Sequence, residues 1–196
     1  MRFHENVEAI LGSRYKIRVL RLFCRTGGSY TGRDIAKLID SSQDATRRAL
    51  LSLESQGVLK RSYIGSSHVF SLNKDHLFVK EAIGNLFLIE DNALLLISKF
   101  FKEQLGKDFI KAVIFGSIAK KSERPDSDID ILIIVRSGAD LDAIEDKVNE
   151  AANLSTAATG NPCMPIVVKL NEYEKQRKAK SKKGMWKDIF DRGKTI

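Results

Sequence analysis

The sequence predicts a mixed α/β (α+β) chain of two units, and three observations carry that prediction. The first 76 residues read as short helices closed by two β-prone runs. From residue 109 onward, apolar strand-like runs alternate with helical stretches, the pattern of a small mixed sheet with packed helices. Between them, Leu77–Leu105 keeps a helical apolar pattern with no Pro- or Gly-rich linker. The expected units are residues 1–76 and 77–196.

Composition narrows the function classes. The chain has 196 residues, 43% hydrophobic and 30% charged, a globular rather than a disordered balance. Its longest apolar stretches, Ala93–Ile97 and Ile131–Val135, fall far short of the roughly 20 residues of a membrane span. The opening MRFHENVEAIL has no apolar core before a small-residue cleavage site, so no secretory signal is expected. Cys24 and Cys163 lie far apart with no Cys/His cluster, which argues against a disulfide framework or zinc ribbon and suits a reducing cytoplasm. The net charge of +8 is unevenly placed: +6 over residues 1–76, −5 over 77–174 and +7 over 175–196. Basic ends around an acidic middle suit either a polyanion-binding protein with a metal-binding centre or a basic solvated face.

In the first unit, Tyr15, Val19, Leu20, Leu22 and Phe23 give a helical pattern that Gly27-Gly28 breaks. Thr31 is the expected N-cap of a short helix through Ile39. Asp40-Ser41-Ser42 turns the chain into a helix from Gln43 to Gln56, with Ala45, Ala49, Leu50 and Leu53 as its apolar face and Gly57 as its stop. Val58–Ile64 and His68–Leu72 flank Gly65-Ser66-Ser67 as a hairpin. This order, and the stretch TGRDIAKLIDSSQDATRRALLSLESQGVLKRS, resembles the winged helix-turn-helix of small prokaryotic regulators. The resemblance implies double-stranded DNA as a partner, read by the helix that begins at Ser42. Gln43, Thr46 and Arg47 are the expected groove residues, with Arg48, Lys60 and Arg61 on phosphates. Arg47, Arg48, Lys60 and Arg61 are expected to share one face. The alternative is a protein-docking module.

In the second unit the expected strands are Phe109–Phe115, Ile129–Val135 and Met164–Leu170. Helices are expected from Ser117, over Asp140–Leu154 and from Asn171. The chemistry concentrates in VIFGSIAKKSERPDSDIDILIIV, residues 113–135. A buried strand ends at Gly116-Ser117, where glycine admits close approach of a ligand. The amides of a helix start and the Ser117 hydroxyl suit a phosphate. Asp128 and Asp130, at i and i+2 on a strand, point to one face. Two carboxylates plus phosphate oxygens are the hard donor set that Mg²⁺ prefers.

This GS-x10-DxD spacing between hydrophobic strands resembles the DNA polymerase β-like nucleotidyltransferase superfamily, most closely its minimal bacterial and archaeal members, over roughly residues 80–175. The resemblance implies transfer of a nucleoside monophosphate from an NTP to a hydroxyl, with release of pyrophosphate. It implies nucleotide contacts from Gly116, Ser117 and Ser127, and metal ligation by Asp128 and Asp130 with Mg²⁺ or Mn²⁺. A protein or RNA acceptor is implied, including a small helical toxin partner.

Active members of that superfamily supply a third carboxylate from a later strand. The corresponding run here, Pro165–Leu170, holds no acid, and Lys169 stands where one is expected. Glu172 is the candidate catalytic acid if the strand ends early; otherwise Glu172 and Glu174 begin a surface helix. The rival function is therefore a non-enzymatic DNA-binding regulator or antitoxin whose second domain senses nucleotide or a partner. The basic run from Lys175 onward is a second candidate nucleic-acid contact or a solvated face. Trp186, Ile189 and Phe190 suggest a short helix packed back on the domain. His4, His68 and His76 show no ligand spacing.

Overall fold

Local hydrogen-bond chemistry sets where the first helices begin and end. The computed structural model describes residues 6–179 and 184–196; His4 and residues 180–183 of the basic run lie outside them. α1 (Asn6–Leu11) precedes α2 (Arg14–Thr26), whose N-cap Ser13 accepts a hydrogen bond from the Tyr15 amide at 3.3 Å. Gly27, at φ +64°, closes α2. β1 (Ser29–Thr31) leads to α3 (Gly32–Leu38), capped as expected by Thr31. α4 (Gln43–Ser55) is capped by Ser42, which accepts from the Ala45 amide at 3.2 Å. β2 (Leu59–Ile64) and β3 (Ser67–Leu72) form the hairpin. Its turn is the two residues Gly65-Ser66, because Ser67 pairs with Ile64. The antiparallel sheet runs β1-β3-β2. With the three capped helices it makes a winged helix-turn-helix around Leu20, Phe23, Ile35, Leu50, Leu53 and Val58.

The chain divides into two compact units, Met1–Asp91 and Asn92–Ile196. The first reaches beyond residue 76 because a π-helical turn, Val79–Ile83, and the start of α5 (Gly84–Leu105) send Val79, Ile83 and Phe87 into its core. Arg21 pairs with Glu90 at 2.8 Å and Arg25 with Asp91, which fastens that segment to α2.

The second unit is a four-stranded sheet in the order β6-β5-β4-β7. β4 (Phe109–Ile114) runs antiparallel to β5 (Ile129–Val135) and to β7 (Lys194–Thr195). α6 (Gly116–Lys120) is a single turn between β4 and β5. α7 (Leu141–Thr159) carries the chain over to β6 (Cys163–Lys169), parallel to β5. α8 (Leu170–Lys178) and α9 (Gly184–Arg192) follow.

Apart from Asp130, β5 is apolar because both its faces are covered. Ile129, Ile131, Ile133 and Val135 pack with Ile97, Phe101 and α7. Leu132 and Ile134 pack on the other face with Val168, Tyr173 and Ile189. Asp130 belongs by alternation to this second face. Among the described residues, no helix is long and apolar enough to cross a membrane.

Candidate functional site

Where β4 ends, β5 begins, so the antiparallel register brings Phe115 opposite Asp130; the Phe115 amide donates to the Asp130 carbonyl at 3.0 Å. The next residue, Gly116, has φ +67° and lies against the Asp130 side chain: a Cβ there would stand 1.9 Å from Asp130 Oδ2. Only glycine meets both demands. Gly116 and Asp130 are thus in contact, with Ser117 next in the chain on α6. No side chain caps α6, so the amides that a helix start leaves without intrahelical partners stay available to a ligand.

Asp128 is exposed at the mouth of the site and Asp130 is half-buried. Burial first, and then the Asp128 charge, push the Asp130 carboxyl above the usual carboxylate range; Lys120 pulls it down and Asp188 adds to the rise. Two neighbouring acids, one of them strained by burial and by the other's charge and backed by a glycine, fit a divalent cation with oxygen ligands. Among the described residues, no three His, Cys, Asp or Glu side chains are gathered to hold a metal. Cys163 brings no thiolate, since burial pushes its thiol up to about 11.

Ser127 is held within its own loop. Its Oγ accepts from the Arg124 amide at 2.8 Å, and its carbonyl accepts from Asn161 Nδ2 at 2.9 Å. These bonds fix the loop that delivers Asp128.

The structure overturns the expected third acid. In the parallel register, Asp130 pairs with Met164 and Lys169 pairs with Val135. Lys169 is therefore five residues up the sheet, about 17 Å away at roughly 3.3 Å per residue. Glu172, exposed on α8, lies beyond it at the opposite end from the carboxylates. Neither residue reaches the site. The β6 residues that share Asp130's face nearest to it are Met164 and Ile166, both apolar.

The DNA-facing positions divide as well. Arg33, Gln43, Arg47 and Arg61 line one concavity of about 630 Å³ between α4 and the hairpin, with His68 and Phe70. Arg48 lies on another surface of α4, beside Tyr15 and Lys16. Lys60 and Arg61, adjacent on β2, point to opposite faces of the hairpin. The single basic face is therefore corrected to the Arg33, Arg47 and Arg61 groove. Thr46 is fully buried, so it cannot touch bases; its spacing to Ala49, Leu50 and Leu53 marks it as core. Several of these cations already have acidic neighbours: Arg48 meets Asp44 at 3.1 Å, Arg61 meets Glu54 at 2.9 Å, and Lys60 meets Asp75 at 3.0 Å.

Sequence reasoning missed Arg33, Lys120 and Asp188. Lys120 Nζ and Asp188 Oδ2 are 2.7 Å apart, which ties α6 to α9. The expected packing of Trp186, Ile189 and Phe190 was the available signal, because it carries Asp188 with it.

A family model described as Polymerase beta, Nucleotidyltransferase matches residues 96–195. No curated protein sequence matches the chain significantly. Among solved structures, the chain is similar to MepR, a transcription regulator of the Staphylococcus aureus multidrug efflux pump MepA, at 18% identity and TM-score 0.38, over 52% of this chain and 77% of that one. It is also similar to TrmBL2, an archaeal chromatin protein, at 16% identity and TM-score 0.25, over 82% of this chain and 67% of that one. Likenesses this distant do not bear on function.

Proposed function

Because the chain belongs to the polymerase beta nucleotidyltransferase family, we propose that it transfers NMP from an NTP to an acceptor hydroxyl with Mg²⁺ or Mn²⁺, and that its winged helix docks on double-stranded DNA. The observation that carries the first part is the packing of Asp130 against Gly116, beside Asp128 and an uncapped helix start. In this reading Gly116 and Ser117 seat the triphosphate, and Asp128 and Asp130 hold the cation. A bound divalent cation supplies charge neutralisation for the leaving pyrophosphate. The acceptor oxygen bonds to the α-phosphorus, the bond to the pyrophosphate oxygen breaks, and the acceptor proton passes to a carboxylate or to water. Incubation with each labelled NTP and Mg²⁺ or Mn²⁺ is expected to release pyrophosphate. Nucleotide binding without release favours the second reading, a nucleotide-sensing regulator, which the apolar pair Met164 and Ile166 supports.

The DNA part rests on the groove lined by Arg33, Arg47 and Arg61. Reversing Arg47 and Arg61 to Glu is expected to weaken binding to any duplex by about tenfold or more at low salt. It should also flatten the salt dependence, because fewer counterions are released. Unchanged binding in the double variant refers the groove to a protein partner instead.

A further inference from the structure

Asp128 lies outside the ladder of the sheet: it is the residue just before β5, and the pairing with β6 begins at Ile129. Its direction is therefore set by the two peptide units on either side of it, each a rigid plane. Both planes are held by consecutive residues of the turn between α7 and β6. In the first plane, the Ser127 carbonyl accepts from Asn161 Nδ2 at 2.9 Å. In the second, the Ile129 amide donates to the Pro162 carbonyl at 2.8 Å. Asn161 Nδ2 also donates to the Pro125 carbonyl at 2.8 Å, so the loop is gripped at two points. Carbonyl oxygens accept and cannot donate, so it is the nitrogen end of the Asn161 amide that faces them.

Resting on the nucleotidyltransferase reading above, we propose that Asn161 is the positioning residue of Asp128, setting the direction from which that carboxylate meets a divalent cation. Asn161 stands on firm supports. Gly160, at φ +79°, closes α7, and the Asn161 amide donates to Thr159 Oγ1 at 3.3 Å. Thr159 Oγ1 in turn donates to the Ser155 carbonyl at 2.8 Å, which ties the turn to α7. Pro162 follows with its φ fixed by the ring, and Cys163 begins β6. The loop that Asn161 grips is by contrast exposed from Lys121 to Asp126. Exposed segments with few buried contacts open readily, whereas a metal ligand must be held to within about 0.5 Å. Joining the strands does not require Asn161, because the β5–β6 ladder and the Ile129 bond already do that. What its two bonds add is the orientation of the loop and of Asp128.

Mn²⁺ binding to the full chain, followed by the electron paramagnetic resonance signal of the free ion, tests this without reference to turnover. Asn161→Ala is expected to weaken binding by about tenfold, the scale on which lost support of a metal ligand is felt. Asn161→Asp keeps the shape but turns an oxygen toward the two carbonyls, and is expected to weaken binding at least as much. Thr156→Val is the comparison for plain destabilisation of the same turn. Thr156 Oγ1 accepts from the Cys163 amide at 3.0 Å and donates to the Ala152 carbonyl, bonds that do not involve the loop. This variant is expected to lower the melting temperature comparably while Mn²⁺ binding stays within about twofold. A loss below about twofold in Asn161→Ala, or an equal loss in Thr156→Val, overturns the assignment. Asp128→Asn/Asp130→Asn is the control for the site itself. If it abolishes Mn²⁺ binding while Asn161→Ala has no effect, only the part of Asn161 falls. If wild-type binding is absent, or indifferent to that control, the carboxylate site and Asn161's part in it both fall. Thermal melts verify the fold of each variant, and Asn161→Ser, which can donate one bond at most, replaces Asn161→Ala where the alanine variant melts below the assay temperature.

Discussion

Asparagine at both 128 and 130 is expected to reduce divalent-cation-dependent NTP binding by at least about 100-fold while leaving the fold intact. The amides keep the volume and polarity of the acids but withdraw the anionic oxygens that a hard cation needs. The metal-free protein should respond in the opposite direction. Burial and the neighbouring Asp128 raise the Asp130 carboxyl, so its ionised form is the strained one in the fold. A group with a raised folded pKa contributes stability below its unfolded value, near 4, and loses it as pH rises through the folded value. At neutral pH the double variant escapes that loss and should melt a few degrees higher at most. Below about pH 4 the wild-type Asp130 is protonated too, and the advantage should fade. Calorimetry across pH, with and without Mg²⁺, checks both arms. Cation-dependent NTP binding that survives in the variant removes Asp128 and Asp130 from the site.

What was legible in the sequence is what short-range physics decides. Thr31 and Ser42 cap their helices because a hydroxyl beside a free amide needs no tertiary partner. Ile129–Val135 is a strand in the sequence and in the structure, since a short apolar run bounded by polar turns has few other uses. Gly116 and the two acids converge because a strand, a turn and an antiparallel return leave little freedom over so short a span. β1 and β7 escaped notice for the converse reason. Ser29–Thr31 and Lys194–Thr195 carry no periodicity and become strands only by pairing with β3 and β4.

Glu172 shows the same limit at the site itself. Chain order suggests that an acid just after the third strand lies near the first two. Strand direction decides otherwise: α7 crosses over the sheet and makes β6 parallel to β5, so the start of β6, not its end, adjoins Asp130. Asp188 reaches Lys120 on α6 from 68 residues away through the packing of Ile189, a relation that no local spacing encodes. Thr46 carries the helical spacing of the core residues Ala49, Leu50 and Leu53, and that spacing outweighs its polar character.

Alanine at Gly116 is expected to disable the site through a single methyl group. The backbone there is left-handed, at φ +67°, which costs a residue with a Cβ about 1–2 kcal/mol. The new carbon would also stand 1.9 Å from Asp130 Oδ2 and 2.9 Å from its Cγ, so the carboxylate must move. A displacement near 1 Å at a positioned group costs about 100-fold in rate, and a comparable loss is expected in NTP transfer. The melting temperature should fall by several degrees, because about 1 kcal/mol corresponds to roughly 2–4 °C at this chain length. Clash and backbone strain can be told apart with a second change. Gly116→Ala/Asp130→Ala removes the colliding oxygen and Cγ, so it should recover part of the lost stability while binding no cation. Recovery of none of it assigns the whole effect to the backbone. Full transfer by Gly116→Ala alone means that Asp130 does not work from the position in which Gly116 holds it.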